Sequence, residues 1–330
     1  MIVIFGSADN PHTRELSEKI CLHGENALVI STDKTSLLET YVSLTVRNNK
    51  NSLVINQKDI SCNIDEVSSA FVWQPIFQFF SSAKNNFSQD EKFWFFSWRD
   101  TLNGIYALLA NKNVVINGSV INTLNNQNKL MYHCSLMGLS VRFPEFFIGN
   151  NKKDILNFLL WHKTCIIKTL HQMQLVVHDE PTMFLAKRVN AEDFMDFGTE
   201  GECPIFIQKF IEKIYDVRVT VIGDNFIACK IDASKSEYGK VDWRVYDMAH
   251  TPHSKFALPG KIKNDIQIIK KKLSMEYMTI DFCIDARGDF WILDINPFGK
   301  YLWIEDAIGE PITELLAKYL INRRRAEASL

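Results

Sequence analysis

The stretch Trp291-Ile292-Leu293-Asp294-Ile295-Asn296-Pro297-Phe298-Gly299 reads as a strand that carries two oxygen-bearing side chains and then stops. Alternation along a strand places residues i and i+2 on one side. Ile292, Asp294 and Asn296 are therefore expected on one face, with Leu293 and Ile295 in the core. Pro297 has no ladder N–H to give, so the strand ends before it. Asp294 and Asn296 then stand at a strand end, where a ligand can reach them.

The residues upstream complete a hairpin. Met278 to Asp285, MTIDFCID, alternates β-branched and aromatic residues, and Ala286-Arg287-Gly288-Asp289 supplies the turn. Pairing 285 with 290 sets Asp281 opposite Asp294. Asp281, Asp294 and Asn296 then form one cluster of hard oxygen donors, which suits Mg²⁺ held against phosphates rather than zinc. On an arbitrary hairpin such a pattern is more often a solvated polar face. Phe290, Trp291 and the abrupt Pro-Phe-Gly exit favour the ligand reading.

Composition bounds the rest. The 330 residues are 46% hydrophobic and 23% charged, ordinary for a globular chain of two or three domains. A formal charge of −2 gives no overall attraction to nucleic acid or anionic lipid. The basic runs Lys270-Lys271-Lys272 and Arg323-Arg324-Arg325 read as solvated helix faces or tails. No apolar run is long enough to span a membrane, and MIVIFGSADN reads as a strand rather than a signal peptide. The seven cysteines are scattered without a C-x-x-C pair, which indicates reduced thiols and a cytoplasmic location. His162 with Cys165, and His250 with His253, lack the second pair that a zinc site needs.

The order of elements points to an α/β chain. Strands at Ile2–Phe5, Ala27–Ile30 and Ala70–Trp73, a helix over Thr13–His23, a capped aromatic helix from Ser88 to Ala110 and a strand at Val114–Ile116 predict a parallel α/β domain over 1–118. Within that helix, EKFWFFSWRD reads as core. A central segment over 119–204 begins with a helix from Asn122 to Met137 and includes a strand ending on Lys168. A strand-rich segment over 205–330 contains Ile205–Phe210, Asp216–Ile222 and Phe226–Ile231, then a helix over Asn264–Met275 and a closing helix over Pro311–Leu320. Gly223-Asp224-Asn225 is its hairpin turn.

Cations recur on these apolar elements. Lys129 lies in NNQNKLMYH, Lys168 ends CIIK, Arg218 interrupts DVRVTVIGD, and Arg244 follows Trp243. One lysine or arginine inside a domain usually has a salt-bridge partner. Several, beside an oxygen cluster for a divalent cation, fit a nucleoside triphosphate, whose phosphates satisfy them. No P-loop and no G-x-G-x-x-G is present. This order of parts resembles the ATP-grasp fold, and YDVRVTVIGDNFIACKIDAS, DWR and LDINPFGKYLWIEDAIG are most similar to the microviridin-type, or graspetide, ligases that macrocyclise ribosomal peptides. The resemblance covers about residues 119–312 by motif and the N-terminal domain by architecture.

The resemblance implies an ATP-grasp fold with an N-terminal parallel α/β pre-ATP-grasp domain, and ATP and Mg²⁺ as cofactors. Lys129 and Lys168 would contact ATP phosphates, with Lys168 also near the adenine. Gln208, Lys209, Phe210 and Ile211 would form the hinge that reads the adenine edge. Asp216 would meet the ribose, with Glu212 as competitor. Arg218 and Arg244 would hold the γ-phosphate and the acyl-phosphate made from it, and Asp281, Asp294 and Asn296 would hold Mg²⁺. Asp294 stands where many ATP-grasp enzymes have the longer Glu. TLHQMQLVV, after Lys168, lacks the glycines common over the phosphates, and FVWQPIF lacks the paired arginines of the relatives.

The implied activity is activation of Asp or Glu side chains of a precursor peptide, with leader and core, as acyl-phosphates. Condensation with Ser or Thr hydroxyls gives ω-esters, and with Lys amines ω-amides. Glu192 and Asp193 could face a basic leader, or simply favour a helix dipole. The same nucleotide residues would serve a RimK-like or glutathione-synthetase-like ligase, and a non-catalytic ATP-binding module is the reading from another class. The resemblance also admits a homodimer. His171, His178 and the terminal RRRAEASL carry no assigned chemistry.

Overall fold

The computed structural model describes residues 1–47, 50–75, 88–118, 129–137, 139, 141–170, 174–177, 180–183, 186–195, 203–233 and 251–327. The chain opens with β1 (Ile2–Phe5), α1 (Pro11–Leu22), β2 (Ala27–Ile30) and the short α2 (Lys34–Leu38). Asn10 caps α1, its side chain accepting from the His12 N–H. An antiparallel meander follows: β3 (Thr40–Arg47), β4 (Lys50–Gln57) and β5 (Ile60–Asn63). β6 (Ser69–Val72) then pairs in parallel with β1, giving the order β2-β1-β6. The meander was not expected, and residues 114–116 are joined to Ala70 only through an isolated parallel bridge at Val115, not as a full strand.

The capping box predicted at Ser88 is present: its hydroxyl accepts from the Glu91 N–H, and the Glu91 carboxylate accepts from the Ser88 N–H. It opens α3 (Gln89–Asn111), whose Leu102, Ile105, Tyr106 and Leu109 are buried against the parallel sheet and the meander. Phe95 of EKFWFFSWRD is buried, whereas Phe93 and Phe96 are exposed. The aromatic segment is therefore only partly core.

The helix expected over 122–137 is described from Lys129 onward, as α4 (Lys129–Ser135). Next come β7 (Phe146–Gly149), α5 (Lys152–His162), β8 (Cys165–Lys168), β9 (Gln174–Val177), β10 (Glu180–Met183), β11 (Lys187–Val189), α6 (Glu192–Met195) and β12 (Ile205–Lys209). The order β11-β8-β12-β7 makes an antiparallel sheet, and β9 pairs with β10. Because β12 pairs with β7 and β8, the change of sheet falls after Lys209, not at 204 as expected from the sequence.

The last sheet is antiparallel in the order β15-β14-β13-β16-β17: β13 (Lys213–Ile222), β14 (Asn225–Ile231), β15 (His253–Lys255), α7 (Gly260–Leu273), β16 (Tyr277–Asp285) and β17 (Phe290–Asn296). Ile262, Ile266, Ile269 and Leu273 of α7 form an apolar stripe that buries Val217, Val219, Val221, Ile280, Phe282 and Ile295 on one face. Each such side chain contributes roughly 1.5–3 kcal/mol. The opposite face is left for Asp216, Arg218, Asp281 and Asp294. α8 (Leu302–Ile308) and α9 (Ile312–Glu327) return the chain to the N-terminal sheet, where Ile304, Ile308, Ile312, Leu316 and Leu320 share a core with Ile2, Ile4, Leu16 and Phe71.

Neither basic run is merely solvated. Lys270 donates to Gly223 O, Asp224 and Glu276 at 3.0, 3.1 and 2.9 Å. Arg323 donates to Asn113 O, and Arg324 pairs with Glu25. All seven cysteines are free thiols, four of them buried. Among the described residues no helix is long and apolar enough to cross a membrane.

Candidate active site

The hairpin read first from the sequence carries the centre of the site, with one correction to its register. Asp281 lies opposite Asp294 and Thr279 opposite Asn296, as expected. Near the turn, however, Ile284 pairs with Phe290 and Phe282 with Ile292, one residue off the 285–290 pairing. A β-bulge between these two registers absorbs Leu293. It reverses the expected facing of two residues: Ile292 joins Ile295 in the core, and Leu293 is half-buried. Beyond the bulge, Asp294 and Asn296 keep the polar face. The strand ends at Asn296, whose Oδ1 accepts from the Phe298 N–H at 2.8 Å.

Cross-strand register builds a row across the sheet: Cys229, Arg218, Asp281 and Asp294 are successive partners on β14, β13, β16 and β17. Arg218 gives both carboxylate oxygens of Asp281 a hydrogen bond at 3.0 Å and reaches the Lys300 carbonyl at 3.5 Å. Both bonds to Asp281 come from Nη1, while Nη2 is the nitrogen that reaches the Lys300 carbonyl. Trp303 of α8 covers the guanidinium, whose carbon lies 6.0 Å from the ring. Arg218 is 8% exposed.

Asp294 is held from the neighbouring helix. Lys129 Nζ lies 3.4 Å from its Oδ1, and Tyr132 Oη donates to the same oxygen at 3.1 Å. These residues are three apart on α4 and so share a face. Lys129 is 8% exposed. Burial, then the Asp294 charge, pushes the Tyr132 hydroxyl far above its usual range and keeps it a donor. One residue on, His133 is buried with no hydrogen-bond partner at either ring nitrogen. Its ring stacks on Phe146 at 4.4 Å and lies near Phe206 at 5.8 Å. Burial, then the charges of Lys129 and Lys168, lowers its pKa to about 3. The imidazole is neutral at physiological pH.

The other wall is the sheet of β8 and β12. Lys168 Nζ donates to Gln208 Oε1 at 2.8 Å, and the Gln208 Nε2 is buried without a partner. At the hinge, the Lys209 N–H bonds to Glu145 O at 2.8 Å and the Phe210 N–H to Thr164 O at 3.1 Å. Among the described residues the Ile211 N–H makes no backbone hydrogen bond. The Lys209 side chain turns outward to Glu145 at 3.4 Å.

Asp216 is placed differently from expectation. It is 2% exposed and ion-paired with Lys213 at 2.6 Å, so protein already covers the carboxylate. Glu212, at the end of the hinge, is the exposed acid. Arg244, like His171 and His178, lies outside the described residues. Tyr132, His133 and Trp303 were not singled out from sequence. The i+3 and i+4 spacing from Lys129 was the available signal for the first two, whereas Trp303 is brought in by tertiary packing alone.

The donor set fits a magnesium nucleotide. Asp281 and Asp294 face each other across β16 and β17, Asn296 follows at the end of β17, and Arg218 and Lys129 flank the two carboxylates. The strand end is locked to the N-terminal domain: Asn117 Nδ2 donates to Pro297 O at 3.3 Å, and His12 Nε2 accepts from the Tyr301 and Leu302 N–H groups at 3.3 and 3.4 Å. Burial, then the charge of Lys300, lowers the His12 pKa to about 4, which keeps that nitrogen an acceptor.

No family model and no curated protein sequence matches the chain. Solved structures do. A RiPP-associated ATP-grasp ligase from Chryseobacterium gregarium, in complex with ADP and a leader and core peptide, aligns over 98% of this chain and 96% of its own with a TM-score of 0.84 at 18% identity. The macrocyclase MdnC from Microcystis aeruginosa MRC, bound with precursor peptide MdnA, aligns over 98% and 100% with a TM-score of 0.81 at 19% identity. The ATP-grasp ligase PsnB, complexed with minimal precursor, Mg and ADP, aligns over 98% and 97% with a TM-score of 0.76 at 19% identity. From β1 to α9, this chain has the ATP-grasp fold.

Proposed function

We propose that this protein is an ATP-dependent ligase that condenses side chains within a ribosomal precursor peptide, forming ω-esters or ω-amides by way of acyl-phosphates. The observation that carries the reading is the row Arg218–Asp281–Asp294 with Lys129 set against its end. Support also comes from whole-length likeness to ligases whose structures hold precursor peptides. The sheets β2-β1-β6, β11-β8-β12-β7 and β15-β14-β13-β16-β17 are taken as the centres of three units, with breaks near 118 and 210, and the free thiols support a cytoplasmic location.

In this reading Lys129 and Lys168 bind the phosphates, and the Ile211 N–H with the Gln208 amide faces the base. The geometry favours Glu212 over Asp216 for the ribose. Asp281, Asp294 and Asn296 hold Mg²⁺, which when bound neutralises charge on the phosphates. Arg218 stabilises the charge on the transferring phosphoryl group. A side-chain carboxylate oxygen of the peptide attacks the γ-phosphorus, the bond to ADP breaks, and an acyl-phosphate forms. A hydroxyl or amine of the same peptide then attacks the acyl carbon. Phosphate leaves with its oxygen, and the nucleophile gives its proton to phosphate or solvent. Arg244 is assigned to the acyl-phosphate from its sequence context.

The test is the intact mass of a Thr- and Glu-rich candidate precursor after incubation with protein, ATP and Mg²⁺. Loss of one water per link is the expected result. Gain of a supplied amino acid would instead establish an intermolecular carboxylate–amine ligase.

A further inference from the structure

α8 begins beside the site with no side chain of its own to cap it: Tyr301, at its N-cap, makes no side-chain cap hydrogen bond. The opening N–H groups of a helix need an acceptor from elsewhere. His12 of the N-terminal domain supplies one, its Nε2 accepting from the Tyr301 and Leu302 N–H groups at 3.3 and 3.4 Å. Two N–H groups converging on Nε2 leave the ring proton on Nδ1. The imidazole is itself fixed. It lies flat on Trp73 at 4.3 Å, meets Tyr301 edge-on at 5.0 Å, and stands in the first turn of α1, which Asn10 caps.

The two capped residues lie between the two that meet Arg218. On one side the Lys300 carbonyl accepts from Arg218 Nη2 at 3.5 Å; on the other the Trp303 ring covers the guanidinium at 6.0 Å. The Asp281 pair anchors Nη1 alone, so this segment decides where Nη2 points. Resting on the ligase reading, we infer that His12 is a positioning residue for phosphoryl transfer. Acting across the domain boundary, it sets residues 300–303 against Arg218 and so holds the guanidinium where charge develops on the transferring group.

Substitutions at His12 separate this role from plain support by what each one keeps. His12→Phe keeps a ring on Trp73 and loses the acceptor. His12→Gln loses the ring and keeps an acceptor oxygen, and His12→Met has a similar shape without one. Phe and Met should lower ADP release about tenfold, short of the roughly 100-fold that a misplacement of about 1 Å can cost. Gln should recover most of that loss. Arg218 serves the transition state, so affinity for AMPPNP with Mg²⁺ should hold in all three. Set on Arg218→Ala, His12→Met should cost nothing further, because the residue it acts through is gone. A ring that only props Trp73 would make Phe harmless and Gln as damaging as Met.

The experiment measures ADP release by the full chain from ATP and Mg²⁺, with the Thr- and Glu-rich precursor and with water as the only acceptor. Isothermal titration of AMPPNP with Mg²⁺ runs beside it, for wild type, the three His12 variants, Arg218→Ala and the double variant. Circular dichroism checks folding, and the comparison of Gln with Met carries the test if Phe unfolds. The expected result is loss of release in Phe and Met, recovery in Gln, and unchanged affinity. Gln no better than Met, Phe equal to wild type, a loss that lies in AMPPNP affinity, or full additivity with Arg218→Ala overturns the inference and leaves the ligase reading standing. Wild type that releases no ADP removes the ligase reading, and the inference with it.

Discussion

Arg218 and Asp281 meet because β13 and β16 are in register, and nothing local in DVRVTVIGD or MTIDFCID foretells the partner. The sequence offered a costly arginine on an apolar strand and a carboxylate on another. The ion pair between them is a tertiary fact. Arg218→Ala should reduce ADP release at least about 100-fold, the scale of losing one preorganised charge donor. It should also lower stability by about 2 kcal/mol, because Asp281 loses two charge-assisted bonds. Arg218→Lys keeps the charge but loses the second nitrogen that reaches the Lys300 carbonyl, and should stay impaired. ADP release assays and urea denaturation check both.

His133 belongs to the same scale and predicts a pH dependence. In the unfolded chain its imidazole takes a proton near pH 6.5, whereas in the folded protein burial and two lysines hold this off until about pH 3. The unfolded state therefore binds the proton first as pH falls. Stability is full above about pH 6.5, declines as pH drops toward 3, and levels below that, with a total effect on the order of 5 kcal/mol. His133→Phe keeps a ring in the stack and should flatten this part of the stability curve in urea titrations run from pH 7 to pH 4. An unchanged slope in that variant would place the proton uptake elsewhere.

At the scale of elements, β17 shows what alternation can and cannot disclose. Period two put Asp294 and Asn296 on one face and Ile295 in the core, and the structure agrees. A bulge carries no residue signature in WILD, so the reversed facing of Ile292 and Leu293 was hidden. The meander β3–β5 was missed for a related reason: its second turn runs through Lys58 with φ +50°, where no glycine or asparagine announces a hairpin. By contrast, Gly223 with φ +56° announced the β13–β14 turn. Gly299 tests the strand exit. A Cβ there would lie 1.8 Å from Thr279 Oγ1 and 2.3 Å from its methyl carbon. Thr279 cannot clear that space by rotating, because its own Cβ is 2.5 Å away. Gly299→Ala should therefore push the turn off β16, cost about 1–3 kcal/mol, and weaken Mg²⁺-dependent nucleotide binding with it. Thermal melts and nucleotide titrations read the two effects separately.

At the scale of the whole molecule, the site stands where three sheets converge. α8 and α9 tie the strand end after Asn296 to the N-terminal sheet through one shared core, and α4 brings Lys129, Tyr132 and His133 between the other two sheets. The architecture was legible in the order of motifs, because lysine, lysine, arginine, aspartate and aspartate-x-asparagine follow the chain. The sheet that owns β12 was not, since IFIQK reads equally well as a strand of either neighbour. Ligands that bridge three sheets should stabilise them together. With both AMPPNP and Mg²⁺ at a hundred times Kd, unfolding should become about 2.7 kcal/mol harder, visible as one shifted thermal transition, while either ligand alone should move it little.

The central chemical claim is that a side-chain carboxylate of the peptide takes the γ-phosphoryl group before it is condensed. The direct measurement uses a precursor whose Asp and Glu carboxylates carry heavy oxygen, incubated with protein, ATP and Mg²⁺, followed by mass analysis of peptide and phosphate. The account predicts one labelled oxygen in phosphate for each water lost from the peptide, with ADP formed in equal amount. Water loss accompanied by unlabelled phosphate would contradict it, because the carboxylate oxygen would then never have been bonded to phosphorus.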